Sequence, residues 1–326
     1  MGLAESVRGV TPERGITPAI SLCMTTTTAS EFATVGFLDE RYELGELLGA
    51  GAMGQVFAAR DLLLGIDVAV KMMHPKHARS RRQVAQFASE ATISARMLSP
   101  NVVKVMGLAV TREGAPCIVY ERLEGETLGQ RIMRDGGLSV AETVEIVKQT
   151  SRALARAHSI GVIHRDVKPD NIFLTTDARG KVLVKLLDFG IAAMADTQGT
   201  YAHSVLAGTP EYMAPEVLFV THDVDGRADL YALGVVVFEC LTGQCPFPGD
   251  VQSVIEQLRA GASAAFTERR PDLQGEVDVW MDRALHPDPC WRFSSAKELA
   301  DSFELATRPA PARTSQAARI TLREAA

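Results

Sequence analysis

The sequence lacks the cysteine patterns that mark disulfide-stabilised proteins and proteins with structural zinc sites. It has five cysteines among 326 residues, and none of them forms a C-x-x-C pair. Because the count is odd and the spacing wide, neither a disulfide framework nor a zinc site is predicted. Cys117 and Cys240 lie in apolar segments, which is typical of reduced thiols in the core of a cytosolic protein.

Long apolar runs and a strong charge of one sign are also absent. No window approaches the roughly 18 consecutive apolar residues of a membrane-spanning helix, and the N-terminus has no apolar signal core. The 34 basic and 40 acidic residues give a net charge of −6, which provides no overall attraction to nucleic acid. We therefore expect a cytoplasmic globular protein with no membrane span and no nucleic-acid partner.

Composition divides the chain into a central region and two polar ends. Residues 1–40 contain scattered glycine, proline and threonine without a helical or strand period, which predicts a flexible leader. Residues 306–326 are expected to form a mobile tail that carries several arginines. The folded domain is therefore predicted to span residues 41–305.

Periodicity within this domain predicts an α+β fold with strands first and long helices later. Strands are expected at 42–44, 56–59, 68–71, 102–105 and 117–120. Apolar residues at helical spacing predict one helix over 82–98, which Pro100 stops. Longer helices are expected at 140–159 and 230–241, each followed closely by glycine. A small β-rich lobe thus precedes a larger helical one.

The most informative segment is IHRDVKPDN at residues 163–171. Asp166 can orient an attacking hydroxyl and accept its proton, and Lys168 can neutralise charge on a phosphoryl group in transfer. Asn171 can hold a metal ion. Taken alone, this polar cluster could also be a capped turn, so other parts of the chain must supply a phosphate cradle and a second metal ligand.

A glycine-rich loop, LGAGAMGQV at residues 48–56, provides the candidate cradle. Gly49, Gly51 and Gly54 would let backbone N–H groups approach phosphate oxygens without interference from a Cβ atom. In dinucleotide-binding folds such glycines open a helix, whereas a strand follows here. An ordinary glycine hairpin explains the loop equally well when it is considered alone.

Charged residues at matching places strengthen the phosphate interpretation. Lys71 ends an alternating strand, and Glu90 lies in the middle of the predicted helix. A buried lysine needs a carboxylate partner to stay charged, so we expect the two to pair rather than to be unrelated surface charges. In LLDFG, residues 186–190, Asp188 follows an apolar strand and could bind Mg²⁺ together with Asn171.

The segment AGTPEYMAPE at residues 207–216 completes a set of five motifs in a fixed order. With them, region 41–305 resembles the serine/threonine protein kinases of the bacterial eukaryotic-like class. The resemblance implies a two-lobed kinase fold with an N-lobe at 41–121, a hinge at 121–125 and a C-lobe at 126–305. It also implies transfer of the ATP γ-phosphoryl group to Ser or Thr hydroxyls of proteins, with Mg²⁺ or Mn²⁺ as the metal.

The resemblance implies a role for each matching residue. Asp166 would be the catalytic base with Lys168 beside it, and Lys71 would bind phosphates while paired with Glu90. The metal ligands would be Asn171 and Asp188. The residues implied in ATP binding are Leu48, Gly49, Gly51, Gly54, Val56, Ala69, Lys71, Glu121, Leu123 and Phe173.

Other positions match structural or regulatory residues of the family. Lys168 matches the residue at its position in serine/threonine rather than tyrosine kinases. Thr209, in the peptide-binding segment, does the same. Asp229 matches an aspartate that braces the catalytic loop, and Arg292 matches the partner of Glu216. Tyr120 falls at the position behind the adenine, where so large a side chain should narrow the pocket.

Control by phosphorylation is implied by Arg165, which precedes the catalytic aspartate. A phosphate on Thr200 or Ser204 could pair with Arg165, although each hydroxyl could equally be an ordinary solvated loop group. Autophosphorylation in a transient homodimer would supply that phosphate. One departure from the family is Ser94, which is polar where many relatives have an apolar residue, so the helix that carries Glu90 is expected to be loosely held.

Three alternative functions are compatible with parts of this evidence. A pseudokinase would bind nucleotide without transfer, but the residues for transfer are intact. A small-molecule kinase such as an aminoglycoside phosphotransferase would share the fold, but it would lack a segment like 208–216. A scaffold acting through its ends would lose all function when residues 1–40 or 306–326 are deleted.

Overall fold

The computed structural model describes residues 37–51, 53–189, 209–219, 224–260, 266–273 and 275–308. A six-stranded sheet with one main helix forms the N-terminal lobe, and helices with a three-stranded sheet form the C-terminal lobe. This arrangement confirms the expected two-lobed α+β architecture. Within these ranges, no helix combines the length and apolar character needed to cross a membrane.

The N-terminal sheet consists of antiparallel strands in the spatial order β1-β2-β3-β4-β6-β5. The hairpin between the second and third strands carries the glycine loop. Lys71 lies in the fourth strand, opposite Val56 on one side and Ile118 on the other, so both neighbours fix its position. The strands are β1 Phe37–Leu38, β2 Tyr42–Ala50, β3 Gly54–Asp61, β4 Ile66–Met73, β5 Val105–Val110 and β6 Pro116–Glu121.

Two helices follow β4, α1 over Pro75–Ala78 and α2 over Arg81–Arg96. Ser80 caps α2 by accepting a hydrogen bond from the N–H of Gln83. Phe87 is buried between α2 and the sheet, in a cluster with residues of β4 and β6. The predicted helix over 82–98 is confirmed, although it ends two residues earlier.

The predicted strand over 102–105 is wrong, because the ladder begins at Val105. Val102 forms only an isolated parallel bridge with Leu186 of the C-terminal lobe. The cause lies one residue earlier, where the Asn101 side chain donates to the Val184 carbonyl at 3.0 Å and to Gln149 Oε1 at 2.9 Å. These buried bonds hold the segment to the C-terminal lobe and away from the sheet.

The C-terminal lobe is built around one almost fully buried helix. The sequence from Ala228 to Leu241 is apolar apart from Asp229 and Glu239, and its buried residues lie on all sides of the helix, which therefore packs against neighbours around most of its circumference. Gly243 ends it at a φ of 72°, where a Cβ would lie 2.4 Å from the carbonyl oxygen of Gly136. The predicted helix over 230–241 is confirmed within it, and the predicted helix over 140–159 has the same bounds as observed.

The elements of the C-terminal lobe follow in chain order. They are β7 Glu126–Thr127, α3 Leu128–Asp135, α4 Val140–Ser159, β8 Ile172–Thr176, β9 Val182–Leu186, α5 Pro215–Phe219, α6 Arg227–Thr242, α7 Val251–Arg259, α8 Phe266–Arg269, α9 Glu276–Ala284 and α10 Ala296–Ala306. Helix α6 is the buried helix. Strands β7, β8 and β9 form the small sheet, which presents its residues to the cleft below the N-terminal sheet.

Candidate active site

A cleft between the two lobes collects most of the predicted nucleotide-binding residues. It encloses about 800 Å³ of space, including solvent at its mouth, which is within the range of small-molecule sites. The predicted residues that line it are Leu48, Gly49, Val56, Ala69, Lys71, Glu121, Leu123, Phe173 and Asp188. Sequence reasoning missed the lining residues Val103, Thr127 and Leu187, whose only signal is their position beside recognised motifs.

Glycine is required for different reasons at different positions of the loop. At Gly54 a Cβ would lie 2.1 Å from the Met72 carbonyl oxygen, so the β3–β4 packing requires glycine. At Gly49 and Gly51 a Cβ would meet no heavy atom within 4 Å. Packing within the described protein therefore does not explain these two glycines. A loop whose backbone must approach a ligand does explain them, and this fits a nucleotide phosphate.

Lys71 stands at the centre of a cluster of charged groups in the cleft. Its Nζ donates to Glu90 Oε1 at 2.8 Å and also to Asp188 Oδ1. Glu90 is fully buried on α2, and its Oε1 accepts a second bond from the Tyr120 hydroxyl at 2.7 Å. The Asp188 side chain is 45% exposed because it faces the cleft. The predicted pairing of Lys71 with Glu90 is therefore present.

The cluster shifts the pKa values of its members in different directions. Burial raises the pKa of Glu90 to about 7, and the nearby Asp188 carboxylate adds to the shift while Lys71 opposes it. At Asp188 loss of solvent also raises the pKa, but the charge of Lys71 and the hydrogen bonds to Glu90 and Lys71 together lower it below the usual value. Burial disfavours the Lys71 ammonium, yet the two carboxylates hold its pKa above the usual value. Lys71 and Asp188 are therefore charged near neutral pH.

The catalytic-loop residues converge on the Asp166 carboxylate. Lys168 Nζ lies 3.0 Å from Asp166 Oδ2, and the Asn171 amide donates to the same oxygen at 2.8 Å. Lys168 Nζ also donates to Thr209 Oγ1 at 3.0 Å, so it links the loop to the predicted peptide-binding segment. Three residues of the segment 163–171 and Thr209 of the segment 207–216 thus form one connected group.

Asp229 fixes the backbone of this loop by accepting hydrogen bonds from two of its N–H groups. One carboxylate oxygen accepts from the N–H of His164 at 2.9 Å, and the other accepts from the N–H of Arg165 at 2.8 Å. Arg165 has a φ of 65°, an unusual value for a side chain other than glycine, and the buried carboxylate supports it. His158 Nε2 lies 2.8 Å from Asp229, a contact that the sequence did not reveal.

The positions of Asn171 and Asp188 fit a magnesium ion. The Leu187 N–H donates to the Asn171 carbonyl at 2.8 Å, which holds the two motifs side by side. Because the Asn171 Nδ2 donates to Asp166, its Oδ1 points the other way and remains available as a ligand. Carboxylate and amide oxygens are the donors that Mg²⁺ prefers, and it keeps its remaining ligands as water or phosphate. In line with this sparse set, the described residues contain no cluster of three or more His, Cys, Asp or Glu able to hold a metal.

A partly buried ion pair holds the predicted hinge, and sequence reasoning missed it. Glu121 Oε1 accepts from Lys185 Nζ at 2.6 Å and from the N–H of Lys104 at 2.8 Å. Lys185 lies in β9, three residues before Asp188, so the contact joins the predicted hinge to the strand that precedes Asp188. A lysine inside an otherwise apolar buried strand was the available signal.

The structural and regulatory predictions have mixed outcomes. Arg292 makes a buried two-pronged ion pair with Glu216, at 2.8 and 2.7 Å, so that predicted pairing is present. Arg165 Nε is buried and has no hydrogen-bond partner among the residues that the structure describes. Thr200 and Ser204 lie outside those residues, so the loop-phosphate hypothesis stays a prediction. Ser94 is only 3% exposed and lies on the buried side of α2.

Comparison with known proteins places these features in a family. Residues 42–303 match the family described as protein kinase domain. The chain is 38% identical over 281 residues to serine/threonine-protein kinase PknB of Mycolicibacterium smegmatis, which covers 84% of this chain and 44% of that protein. It is 36% identical over 265 residues to serine/threonine-protein kinase pkn3 of Myxococcus xanthus, covering 79% of this chain and 48% of that protein.

A solved structure gives the same result for the fold. The crystal structure of the Mycobacterium tuberculosis PknI kinase domain superposes with a TM-score of 0.65 at 28% sequence identity, and the match covers 84% of this chain and 99% of that one. The chain spans less than half the length of the curated relatives it matches.

Proposed function

The chain belongs to the protein kinase domain family, and on that premise we propose that it is an ATP-dependent serine/threonine protein kinase. One observation carries the proposal. The Asp166 carboxylate is tied through Lys168 to Thr209 on the acceptor side and through Asn171 to the Asp188 turn on the nucleotide side. A carboxylate held between these two sides is what transfer from ATP to a hydroxyl requires.

Asp166 acts as the base in this proposal. The acceptor hydroxyl loses its proton to Asp166 while its oxygen bonds the γ-phosphorus, and the bond to the β–γ bridging oxygen breaks to release ADP. Lys168 neutralises charge that develops on the transferred group. Because Lys168 and Asn171 already hold the carboxylate, little reorganisation is needed when the acceptor arrives.

The remaining residues bind and orient the nucleotide. Leu48, Val56, Ala69 and Phe173 enclose the adenine, and the backbone of Glu121 and Leu123 bonds its edge. Gly49, Gly51 and Gly54 cover the phosphates, and Lys71 binds them from below with its charge maintained by Glu90. Asn171 and Asp188 would hold Mg²⁺, which shields the phosphate charges when it is bound.

Several parts of the proposal concern the whole chain. The kinase domain occupies residues 41–305, with 1–40 and 306–326 outside it, and its substrates are proteins with Ser or Thr acceptors. The relatives' names support the choice of Ser and Thr, as does the Lys168–Thr209 contact. Autophosphorylation at Thr200 or Ser204 in a transient homodimer, a cytoplasmic location and the absence of a nucleic-acid partner stay predictions.

Replacement of the base tests this function. In Asp166→Asn, we expect transfer of labelled phosphate from Mg-ATP to casein or to the chain itself to fall by at least about a hundredfold, because no base remains. ATP affinity, measured by isothermal titration calorimetry, should stay close to that of the wild type. The matched control is Asp170→Asn in the same loop, an exposed aspartate that should leave the rate within about twofold of wild type.

The outcomes separate the proposal from its alternatives. Equal transfer by wild type and Asp166→Asn would refute the assignment of the base. ATP binding without transfer by wild type would indicate a pseudokinase. Mass spectrometry of the wild-type products would then show whether Thr200, Ser204 or other hydroxyls accept the phosphate.

A further inference from the structure

The side chain of Tyr120 joins the wall of the nucleotide cleft to the helix that carries Glu90. Tyr120 lies near the end of β6, lines the cleft and is only 8% exposed. Its hydroxyl donates to Glu90 Oε1 at 2.7 Å. That same oxygen accepts from Lys71 Nζ at 2.8 Å. One carboxylate oxygen therefore accepts from both the phosphate-binding lysine on β4 and a tyrosine on the neighbouring strand β6.

Glu90 depends on these two donors for its orientation. It is fully buried, and its other oxygen, Oε2, has no hydrogen-bond partner among the described residues. Without Tyr120, Lys71 would be the one remaining cationic or hydroxyl donor to this carboxylate among the described residues, and Lys71 also contacts Asp188. Burial raises the pKa of the Tyr120 phenol well above its usual value of 10, so the hydroxyl remains a donor throughout the working pH range.

The position of α2 makes such an anchor useful. Among residues on its buried side, Phe87 and Ala91 supply the apolar contacts with the sheet, while Glu90 and Ser94 are buried polar groups. A helix face that alternates apolar contacts with polar groups is held less firmly by the hydrophobic effect. The Tyr120–Glu90 bond adds a directional contact at the residue whose placement matters for Lys71.

We propose that Tyr120 is a positioning residue for phosphoryl transfer, whose hydroxyl holds Glu90 and thereby keeps Lys71 directed into the cleft. This role rests on the proposed kinase function. Tyr120 acts through Glu90 and takes no part in the chemical step. It adds to the expected narrowing of the adenine pocket, because narrowing depends on the ring, whereas positioning depends on the hydroxyl.

Tyr120→Phe tests the role, because it removes the hydroxyl and keeps the ring. We expect kcat for casein phosphorylation by the full chain to fall roughly tenfold, as for loss of one hydrogen bond to a charged group. KM for ATP should change by less than about twofold, because the ring still shapes the adenine pocket. The matched control is Tyr42→Phe, a buried tyrosine on β2 outside the cleft lining, which should leave both constants unchanged.

A double-mutant cycle separates positioning from a general packing effect. In a Glu90→Ala background, which lacks the acceptor and has low activity, adding Tyr120→Phe should lower kcat by less than about twofold. A full tenfold loss in that background would overturn the role, because the effect would not run through Glu90. Wild-type kcat in the Tyr120→Phe single variant would overturn it as well. A wild-type chain that transfers no phosphate would instead refute the kinase function, and the role of Tyr120 with it.

Discussion

Two buried glutamates in this protein pair with a basic side chain, one in the cleft and one in the C-terminal lobe. Glu90 and Glu216 are 0% and 3% exposed, so both have lost nearly all contact with water. They differ in how completely they are hydrogen-bonded. Both oxygens of Glu216 accept from Arg292, whereas Glu90 uses one oxygen for two donors and leaves the other without a described partner.

The basic partners differ in the same way. Arg292 directs its remaining N–H groups to backbone carbonyls of His286, Arg227 and Pro287, so its hydrogen-bonding capacity is used within the protein. Lys71 is 12% exposed at the cleft and shares its ammonium between two carboxylates. A completely bonded ion pair can only support the structure, while an incompletely bonded one at a cleft can also bind a ligand. We therefore expect the Arg292–Glu216 pair to serve stability and the Lys71–Glu90 pair to serve catalysis.

The largest expected effect is on stability, from Arg292→Met. Breaking the pair leaves the Glu216 carboxylate and several carbonyls buried without donors, which should lower the free energy of unfolding by about 3–5 kcal/mol. Chemical denaturation monitored by circular dichroism measures this change. The control is Arg283→Met, because the Arg283–Glu298 pair has side chains that are 43% and 36% exposed. If Arg292→Met were no less stable than the control, the structural role of the buried pair would be wrong.

The next effect is on catalysis, from Lys71→Met. Loss of the ammonium should lower kcat by about a hundredfold, because the charge on the phosphates would no longer be compensated. The unfolding midpoint should move far less than in Arg292→Met, since Glu90 can take up a proton when its cation is gone. Kinase assays and thermal denaturation of the same preparation measure both quantities. A stability loss as large as that of Arg292→Met would remove the distinction between the two pairs.

The smallest effect is expected at an exposed pair on α10, between Lys297 and Asp301. The two side chains are 79% and 60% exposed, and solvent screens their interaction. Lys297→Ala should change the free energy of unfolding by less than about 0.5 kcal/mol and leave kcat unchanged. This variant sets the scale for the other two, and a change above about 1 kcal/mol would show that exposure is a poor guide to ion-pair strength here.

Sequence patterns predicted those helices and strands whose signals all lie within one continuous segment. The helix over 140–159 carries its apolar stripe, its Ser139 cap and its terminal glycine within one segment, so its bounds were readable. The predicted strand over 102–105 failed because its fate depends on Asn101 bonding to Gln149 and Val184, which lie far away in the chain. Two adjacent valines carry no information about such distant partners.

The residues of the candidate site show the same difference between local motifs and contacts that join distant parts of the chain. Asp166, Lys71 and Asp188 were predictable because each lies in a short motif whose residue types fit one chemistry. The bond from Tyr120 to Glu90 and the ion pair from Lys185 to Glu121 were not, since each joins residues from separate elements whose alignment only the folded chain sets. Tyr120 was identified as a large side chain behind the adenine, but its hydroxyl contact depends on the distance between β6 and α2.

The attachment of Asn101 to the C-terminal lobe has a mechanical consequence for α2. The helix ends at Arg96, a few residues before Asn101 in the chain, while its start at Arg81 is about 24 Å from that end along 16 residues. If the helix tilts as a rigid rod about this end, the displacement is largest at its start and smaller at Glu90. A tilt of about 10° would displace Ser80 by about 4 Å but Glu90 by only about 2 Å.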